Sequence, residues 1–261
     1  MGVIATAGGR RLAYEESGIG PPLVLIMGLG AAADAWRDHV AAWAGDFRCI
    51  AVDNRGTGGS WAPPGPYTTA DMADDYAALI DDLRIGPARV AGISMGGAIA
   101  QELALRRPDL VERLVLISTW AHCEPHTAQT FRNLAAVRAQ ADPATFIQLL
   151  QLWIWAPSWF ATHSAELLAE RAAAGAGMSR EAFEAQVHAC VTHDTRERLD
   201  AIEAPTLVTV GSEDVFTPRR YADVLAHRIP KATLTVFEGG AHTHHWELLS
   251  RFNETVRSWL R

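Results

Sequence analysis

The chain has 261 residues, of which 49% are hydrophobic and 20% are charged, so it can bury a sizeable core and is not globally disordered. Its formal net charge is −7, whereas nucleic-acid binders normally carry an excess of basic residues on one face, so we expect no nucleic-acid partner. Three widely spaced cysteines without a C-x-x-C pair suggest neither a disulfide framework nor a thiolate zinc site. The apolar run 21–29 is too short to span a membrane and follows no basic segment, which predicts a soluble, cytoplasmic protein with no membrane partner.

Short apolar runs typical of β-strands alternate with helical patterns along most of the chain. Residues 3–6 and 11–15, joined by Gly8-Gly9, are typical of an opening β-hairpin. Further compact apolar runs predict buried strands at residues 23–27, 49–53, 90–93, 114–118, 206–210 and 234–237. This alternation favours a mostly parallel sheet covered by helices on both faces, so the predicted fold class is α/β.

Two helical patterns accompany the predicted sheet. The first follows Ser94 and stops at Pro108, whose ring cannot continue a helix. The second is the last helix, in which the apolar residues between positions 248 and 260 lie on one stripe. Both patterns suit helices that dock on a sheet.

Between about residues 121 and 204 the strand pattern disappears and helical periods replace it. An i, i+3, i+4, i+7 spacing joins Phe146, Leu149, Leu150 and Trp153. Residues 166–174 and 181–191 have helical patterns too, and the sheet pattern resumes after Pro205. We therefore divide the chain into a first core segment (1–120), a helical cap insert (121–204) and a second core segment (205–261).

A predicted strand is joined to a predicted helix by the motif Gly92-Ile93-Ser94-Met95-Gly96, the context that the G-x-S-x-G nucleophile elbow requires. The turn is so tight that the residues flanking the nucleophile must be small, which accounts for Gly92 and Gly96. It projects the Ser94 hydroxyl above the sheet and aims the Met95 N–H at the reacting carbonyl oxygen. The plainer interpretation is a tight strand-to-helix turn with an incidental serine.

A serine hydroxyl is a weak nucleophile and needs a nearby base that is itself oriented by a carboxylate. Asp214 follows the predicted strand 206–210, and His242 follows the predicted strand 234–237. The carboxyl ends of parallel strands lie at one edge of the sheet, where Ser94 also belongs. The order Ser, Asp, His is the one expected of an α/β-hydrolase triad, so these three residues are the predicted catalytic residues.

The sequence resembles the α/β-hydrolase superfamily over nearly its whole length, from the hairpin to the elbow, the helical cap and the acid and histidine loops. Within it, Gly92–Gly97, together with residues 98–104 and Arg107-Pro108, resembles the esterases and enol-lactonases. The run 53–60 is similar to a family loop that usually shapes the sheet edge rather than performing chemistry. The resemblance implies the α/β-hydrolase fold with a helical cap and a serine hydrolase that uses no cofactor.

The family's oxyanion loop often begins His-Gly, whereas this sequence reads Met27-Gly28-Leu29-Gly30. The chemistry needs a backbone N–H rather than the imidazole, so we expect the N–H groups of Leu29 and Met95 to stabilise the oxyanion. The Met27 side chain fills space but cannot form the hydrogen bonds of the usual imidazole.

Other acids and histidines compete for roles at the site. Glu213 adjoins Asp214, and Glu124 follows the strand 114–118, but that strand is directly followed by Thr119 and Trp120, which favours Asp214. Glu213 and Glu124 are then exposed loop carboxylates. The sequence His242-Thr243-His244-His245 invites a metal site, but consecutive histidines on a loop entering a helix seldom converge on one ion, so we expect no metal. His244 and His245 are expected to begin the final helix and are candidates for the pocket wall.

The predicted cap concentrates large apolar side chains, namely Trp153, Ile154, Trp155, Trp159 and Phe160. Such residues wall apolar substrate pockets, although they can also simply pack the cap on the core. We expect at least one of these rings to face the substrate, and the candidate pocket residues are Trp120, Trp153 and Trp155.

A dinucleotide-binding oxidoreductase is the alternative from a different class. The run Gly28–Ala33 matches G-x-G-x-x-A after a strand, and Asp53 ends the next strand at about the spacing of a ribose-binding acid. However, a hairpin precedes that strand, and this interpretation leaves the Ser, Asp and His residues unexplained. A catalytically inactive binding protein is a third alternative, because a fold does not determine a function.

The sequence therefore predicts an enzyme that hydrolyses a small-molecule carboxylic ester or lactone with an apolar part. One alternative on the same fold is a carbon–carbon bond hydrolase of ring-cleavage products, which an Arg in the pocket, gripping a substrate carboxylate, would favour. A haloperoxidase-like perhydrolase is another. The acyl chain, the leaving group and the oligomeric state are left open.

Overall fold

The computed structural model describes residues 2–5, 9–173 and 177–261. Its strands are β1 (Gly2–Ala5), β2 (Arg11–Ser17), β3 (Pro22–Ile26), β4 (Arg48–Val52), β5 (Ala88–Ile93), β6 (Val111–Ile117), β7 (Thr206–Gly211) and β8 (Ala232–Phe237). They form one eight-stranded sheet in the order β1-β2-β4-β3-β5-β6-β7-β8. β2 pairs antiparallel with both β1 and β4, and every other pair is parallel.

The helices in the first part of the chain are α1 (Arg37–Trp43), α2 (Thr69–Leu83) and α3 (Met95–Arg106). Between β6 and β7 lie α4 (Pro125–Gln140), α5 (Pro143–Ile154), α6 (Pro157–Thr162), α7 (Ser164–Ala173) and α8 (Arg180–Thr192), which we call the cap helices. The last part contains α9 (Arg219–Arg228), α10 (His244–Glu247) and α11 (Leu249–Leu260). Within the described ranges, none of these helices has both the length and the apolar character needed to cross a membrane.

Both faces of the sheet are covered. Val24 and Ile26 of β3 belong to the hydrophobic core that also contains residues of α2, α3 and α9. Leu23 and Leu25 of the same strand belong to a second core with residues of α1 and α11. Because side chains of a strand point alternately to the two faces, a strand that is apolar at every position needs cover on both sides. The predicted α/β class, with a mostly parallel sheet and helices on both faces, is confirmed.

The six predicted buried strands correspond to β3–β8, and their ends differ from the predicted ones by at most three residues. The predicted hairpin corresponds to β1 and β2, although positions 6 and 8 of that prediction lie outside the described residues. The predicted final helix is divided, because α10 ends at Glu247 and α11 begins at Leu249. Position 174, the predicted end of a cap helix, also lies outside the described residues.

Proline marks the starts of three cap helices. Pro125, Pro143 and Pro157 occupy the first turn of α4, α5 and α6, where the missing N–H costs no intrahelical hydrogen bond. Asp142 caps α5, because its side chain accepts the N–H of Thr145 at 3.0 Å. Pro157 opens α6, and α5 has already ended at Ile154.

Candidate active site

Ser94 occupies the turn between β5 and α3 with a φ of +54°, a conformation that L-residues rarely adopt. A Cβ on Gly92 would overlap the carbonyl oxygen of Gly96, and a Cβ on Gly96 would overlap that of Ile26. Glycine is required at both positions because the turn passes so close to neighbouring backbone. A strained serine on a strand-to-helix turn has the geometry of a nucleophile elbow.

His242 and Asp214 lie together in the loops that follow β8 and β7. The Nδ1–H of His242 donates to Asp214 Oδ2 at 3.0 Å, and both side chains are almost completely buried. Thr217 Oγ1 lies 2.8 Å from the same carboxylate oxygen and 3.0 Å from His242 Nδ1. Since Nδ1 carries the proton in this arrangement, Nε2 of the neutral imidazole keeps its lone pair, as a general base requires.

The surroundings of Asp214 favour its ionised form. Burial raises the pKa of this carboxyl, but the charge and hydrogen bond of His242 and the hydrogen bonds of Thr217 outweigh burial and hold the pKa below its ordinary value. Asp214 Oδ1 also accepts the backbone N–H groups of Phe216 and Thr217 at 2.9 and 2.8 Å. An ionised carboxylate on Nδ1 maintains the reactive tautomer and stabilises an imidazolium.

The competing acids have other partners or surroundings. Glu124 forms an ion pair with Arg220 at 2.8 Å, so its carboxylate is directed to the surface of α9. Glu213 is exposed, although it precedes Asp214 directly in the sequence. Of the three acids, only Asp214 hydrogen bonds to His242 in the described part of the chain.

Ser94 and His242 line the same cavity, which has a volume of about 360 Å³ and lies between the sheet edge and the cap helices. Most of its other walls are apolar. The cap helices α4, α5 and α8 contribute Phe131, Leu134, Arg138, Pro143, Phe146, Ile147, Leu150, Ile154 and Phe183. Phe216 and Trp246 contribute rings from the sheet side, and the ring of Phe216 lies 5.0 Å from that of His242.

The predicted oxyanion loop lies directly beside Ser94. A Cβ added to Gly28 would stand 3.4 Å from Ser94 Cβ, and Leu29 follows in the same cavity-lining segment. Met95 is the first residue of α3, and the N–H groups of a helix's first turn have no intrahelical acceptor. The backbone of the loop and the start of α3 therefore both lie next to Ser94.

Side chains from the sheet side hold the oxyanion loop where the family's imidazole is missing. Asn54 Nδ2 donates to Met27 O at 2.8 Å, and Tyr76 Oη donates to Asn54 Oδ1 at 2.8 Å. Asp53 Oδ1 accepts the N–H of Ala33 at 2.8 Å. The loop is thus tied at both ends to the segment that follows β4.

Gln186 of α8 is a third support, and sequence reasoning missed it. This fully buried side chain accepts the N–H of Gly30 at 3.0 Å and donates to Arg55 O at 2.9 Å and to Thr57 Oγ1 at 3.0 Å. A cap helix therefore fastens the oxyanion loop to the neighbouring loop. The signal in the sequence is a polar residue on the apolar face of a helix. That signal can be recognised only after the structure has shown which face of α8 is buried.

The contacts of Asp53 also bear on the dinucleotide alternative. Its two carboxylate oxygens accept the backbone N–H groups of Ala33 and Gly59 at 2.8 and 2.9 Å. The glycine-rich run leads into a short 3₁₀ turn, Ala33–Trp36, and α1 begins only after that turn, at Arg37. This acid therefore stabilises loops of its own chain, and the glycine-rich run does not lead directly into the α-helix on which a pyrophosphate would rest.

The prediction of pocket tryptophans is wrong. Trp120 is fully buried and packs on Phe131 at 5.2 Å between ring centroids, while Trp155 stacks on Trp159 at 5.6 Å. Trp153 lines a separate groove between α4 and α5. The aromatic residues that do line the cavity are Phe131, Phe146, Phe183, Phe216, His242 and Trp246.

His244 and His245 are also absent from the described wall of the cavity, contrary to expectation. Both are fully buried. His244 Nε2 lies 3.1 Å from Thr209 Oγ1, and His245 Nδ1 lies 3.0 Å from His39 Nε2. They are interior histidines that pack α10 on the sheet and on α1.

Comparison with known proteins agrees with this geometry. Residues 21–248 match the profile of the alpha/beta hydrolase fold family. The chain is 31% identical to a protein of Azorhizobium caulinodans provisionally named carbamate hydrolase RutD, over 97% of this chain and 96% of that protein. The chain therefore belongs to the alpha/beta hydrolase fold family, and it is a hydrolase.

Two solved structures extend the similarity. The enol-lactonase from Burkholderia xenovorans superposes with a TM-score of 0.90 at 27% identity, covering 99% of each chain. A thermophilic esterase from Thermogutta terrifontis superposes with a TM-score of 0.88 at 29% identity, covering 99% of this chain and 97% of that one. The predicted resemblance to esterases and enol-lactonases is confirmed.

Proposed function

We propose that the protein is a serine hydrolase that cleaves a carboxylic ester or lactone. The observation that carries the proposal is that Ser94, on a strained elbow, and His242, held by Asp214, line one cavity. The three groups are those that acyl transfer needs, namely a nucleophile, a base and an orienting acid.

The chemistry proceeds through an acyl-enzyme. Ser94 Oγ attacks the carbonyl carbon while His242 Nε2 takes its proton, and Asp214 stabilises the imidazolium that forms. The N–H groups of Leu29 and Met95 stabilise the oxyanion, an interaction worth roughly 100- to 1000-fold in rate per donor. His242 then protonates the leaving alcohol as the bond between the carbonyl carbon and the alcohol oxygen breaks. A water molecule, deprotonated by His242, attacks the acyl carbon, and the bond to Ser94 Oγ breaks as His242 returns the proton to that oxygen and the acid is released.

The cavity walls bear on the substrate. Apolar side chains of the cap helices face Ser94 across about 360 Å³, which favours a substrate with an apolar acyl or alcohol part. The relative named carbamate hydrolase makes a carbamate a candidate as well, because its carbonyl carbon is open to the same attack. A small, polar carbamate would leave these apolar walls uncovered, so an ester or lactone fits the site better.

A carbon–carbon bond hydrolase is the second candidate, because Arg138 lines the cavity from α4. Its guanidinium lies 5.4 and 5.0 Å from the ring centroids of Phe146 and Phe183. Its Nη2 donates to Met178 O at 2.6 Å, so this cation already serves the packing of the cap. An ester or lactone hydrolase requires no substrate carboxylate at this position.

The test is a substrate panel with a nucleophile variant. We expect the enzyme to turn over p-nitrophenyl esters or lactones. Turnover of an aryl carbamate and of a diketo acid of the ring-cleavage type should be slower. Ser94→Ala should keep the fold while kcat falls by about 10⁴- to 10⁶-fold, and only the wild type should be labelled by a fluorophosphonate. Ser258→Ala, at an exposed serine of α11, is the matched control. Comparable turnover by Ser94→Ala would refute the mechanism.

A further inference from the structure

The residue after His242 is fastened to the cap helices. Thr243 donates its backbone N–H to Ile154 O at 3.1 Å. Its Oγ1 donates to the same oxygen at 2.7 Å. Ile154 ends α5, so the histidine loop is bonded to the junction between α5 and α6 on this side.

The residue before His242 reaches the same junction through one carboxylate. Ala241 donates its N–H to Glu247 Oε2 at 2.7 Å, and Ala156 donates its N–H to Glu247 Oε1 at 2.9 Å. Glu247 is nine-tenths buried, and a buried carboxylate is tolerated only where such donors replace water. Glu247 therefore joins the backbone of the histidine loop to the backbone of the cap.

The junction also contacts the cavity. Ile154, Thr243 and Trp246 all line it, and Trp246 packs against Trp155 with 6.0 Å between ring centroids. Residues from both sides of the connection that Glu247 makes therefore line the cavity.

We propose that Glu247 is a positioning residue that places the general base by connecting the histidine loop to the cap. The inference rests on the proposed hydrolase function. Asp214 holds only the Nδ1 end of the imidazole, so the distance from Nε2 to Ser94 depends on where the backbone on either side of His242 lies. Small displacements of reacting groups cost large factors in rate. The connection makes the rate of proton transfer depend on the placement of the cap.

Glu247→Gln tests the loop side of the connection. A glutamine has one acceptor oxygen and a donor NH₂ group, so it cannot accept both backbone N–H groups. We expect kcat to fall about tenfold with KM within about twofold, measured on a short p-nitrophenyl ester well below the melting temperature. Fluorophosphonate labelling of Ser94 should slow in parallel, since it needs the same base. Glu238→Gln, at an exposed glutamate in the same loop region, should match the wild type.

Ala156→Pro tests the cap side. Ala156 has φ −63°, and Trp155 before it has φ −98° and ψ 142°, values that proline and the residue before it adopt. The substitution removes the N–H that Glu247 accepts, whereas Ala156→Gly keeps it. We expect Ala156→Pro to lower kcat about as much as Glu247→Gln, and the double variant to be no slower than the slower single one, because both remove one interaction.

The outcomes separate this inference from the function on which it rests. Equal kcat for Glu247→Gln and Glu238→Gln, or multiplying effects in the double variant, would overturn the inference while leaving an active hydrolase. If Glu247→Gln fails to fold, the ratio of Ala156→Pro to Ala156→Gly decides, and a ratio of one overturns the proposal. A wild type that neither turns over esters and lactones nor reacts with the fluorophosphonate would overturn the hydrolase function itself.

Discussion

The sheet edge and the cap helices face the same cavity, but they hold their residues there in different ways. At the sheet edge the backbone conformation fixes the position of Ser94, since this residue has a positive φ and the glycines around it have no room for a Cβ. In the cap, the packing of the helices determines which side chains face the cavity. Leu150 of α5 lines the cavity, while Leu152 of the same helix is 62% exposed. The difference teaches that short motifs locate the chemical groups, whereas the pocket wall depends on contacts distant in sequence.

The largest expected effect tests the acid that is held at the sheet edge. Asp214→Asn should lower kcat by roughly 10⁴-fold, because an amide favours the wrong imidazole tautomer. The melting temperature should change little by comparison, so activity and stability are measured together. Glu124→Gln is the matched control, since this acid is paired with Arg220 instead. A larger loss in Glu124→Gln than in Asp214→Asn would show that the acid is misassigned.

The second largest effect is expected at Gln186, which connects cap helix α8 to the predicted oxyanion loop. Gln186→Leu leaves the N–H of Gly30 and the carbonyl of Arg55 without their side-chain partner, so the oxyanion loop loses its connection to α8. We expect kcat to fall about 10- to 100-fold, less than the loss of an oxyanion donor itself. Gln151→Leu is the control, because among the described residues the side chain of this equally buried glutamine bonds within the cap, to Leu167 O, Glu170 and Arg171.

A result in which both glutamine variants lose stability but keep kcat would contradict this role of Gln186. The support would then be redundant with that from Asn54, which holds Met27 O from the sheet side. A loss of kcat in Gln186→Leu alone would show that a cap helix contributes to chemistry performed at the sheet edge.

The sequence could predict the strands of the sheet and the position of Ser94 because both depend on local rules. An apolar run bounded by turn residues is a buried strand, and G-x-S-x-G between a strand and a helix admits one backbone geometry. Helix α4 was not predicted, because its buried residues stand among polar ones and only the packed structure reveals the shared face. The error on Trp153 has the same origin, since hydrophobicity does not reveal which side of α5 faces the cavity.

The third prediction sharpens the comparison within one cap helix. Leu150→Trp adds bulk inside a cavity of about 360 Å³, so longer acyl chains should no longer fit. We expect kcat/KM for p-nitrophenyl octanoate to fall about tenfold, in line with the 1–3 kcal/mol typical of overpacking. The acetate ester should change by less than about threefold on the same scale. Leu152→Trp, on the exposed side of α5, should leave both substrates unchanged, and a similar loss in this control would contradict the assigned wall.

Histidines near the sheet edge present the same contrast in their electrostatics. His242 is paired with a carboxylate, whereas His39, His244 and His245 are fully buried without one as a hydrogen-bond partner in the described chain. Burial lowers the pKa of His39 to about 4 and that of His244 to about 3, and it holds the pKa of His245 far below its ordinary value. The interior histidines are therefore neutral in the folded protein.

The smallest expected effect is a pH dependence of stability with a defined sign. A histidine in the unfolded chain has a pKa near 6.5. Below that pH the unfolded state therefore binds protons, whereas the buried histidines of the folded state remain unprotonated. Stability should be complete above about pH 6.5 and fall as the pH drops toward about 4, by up to about 1.4 kcal/mol per pH unit for each histidine. Asp214 titrates at lower pH in both states, so this carboxylate contributes little to the slope between pH 6 and 5.

His245→Phe tests this origin, because the ring at position 245 already packs among Trp36, His39, Trp246 and Phe252. The variant removes one titrating group. The dependence of the unfolding free energy on pH between pH 6 and 5 should therefore decrease by the contribution of about one proton, whatever the absolute stability becomes. Urea unfolding at several pH values measures that slope, and His126→Gln, at an exposed histidine, should leave it unchanged. An unchanged slope in His245→Phe would mean that this histidine is protonated inside the fold.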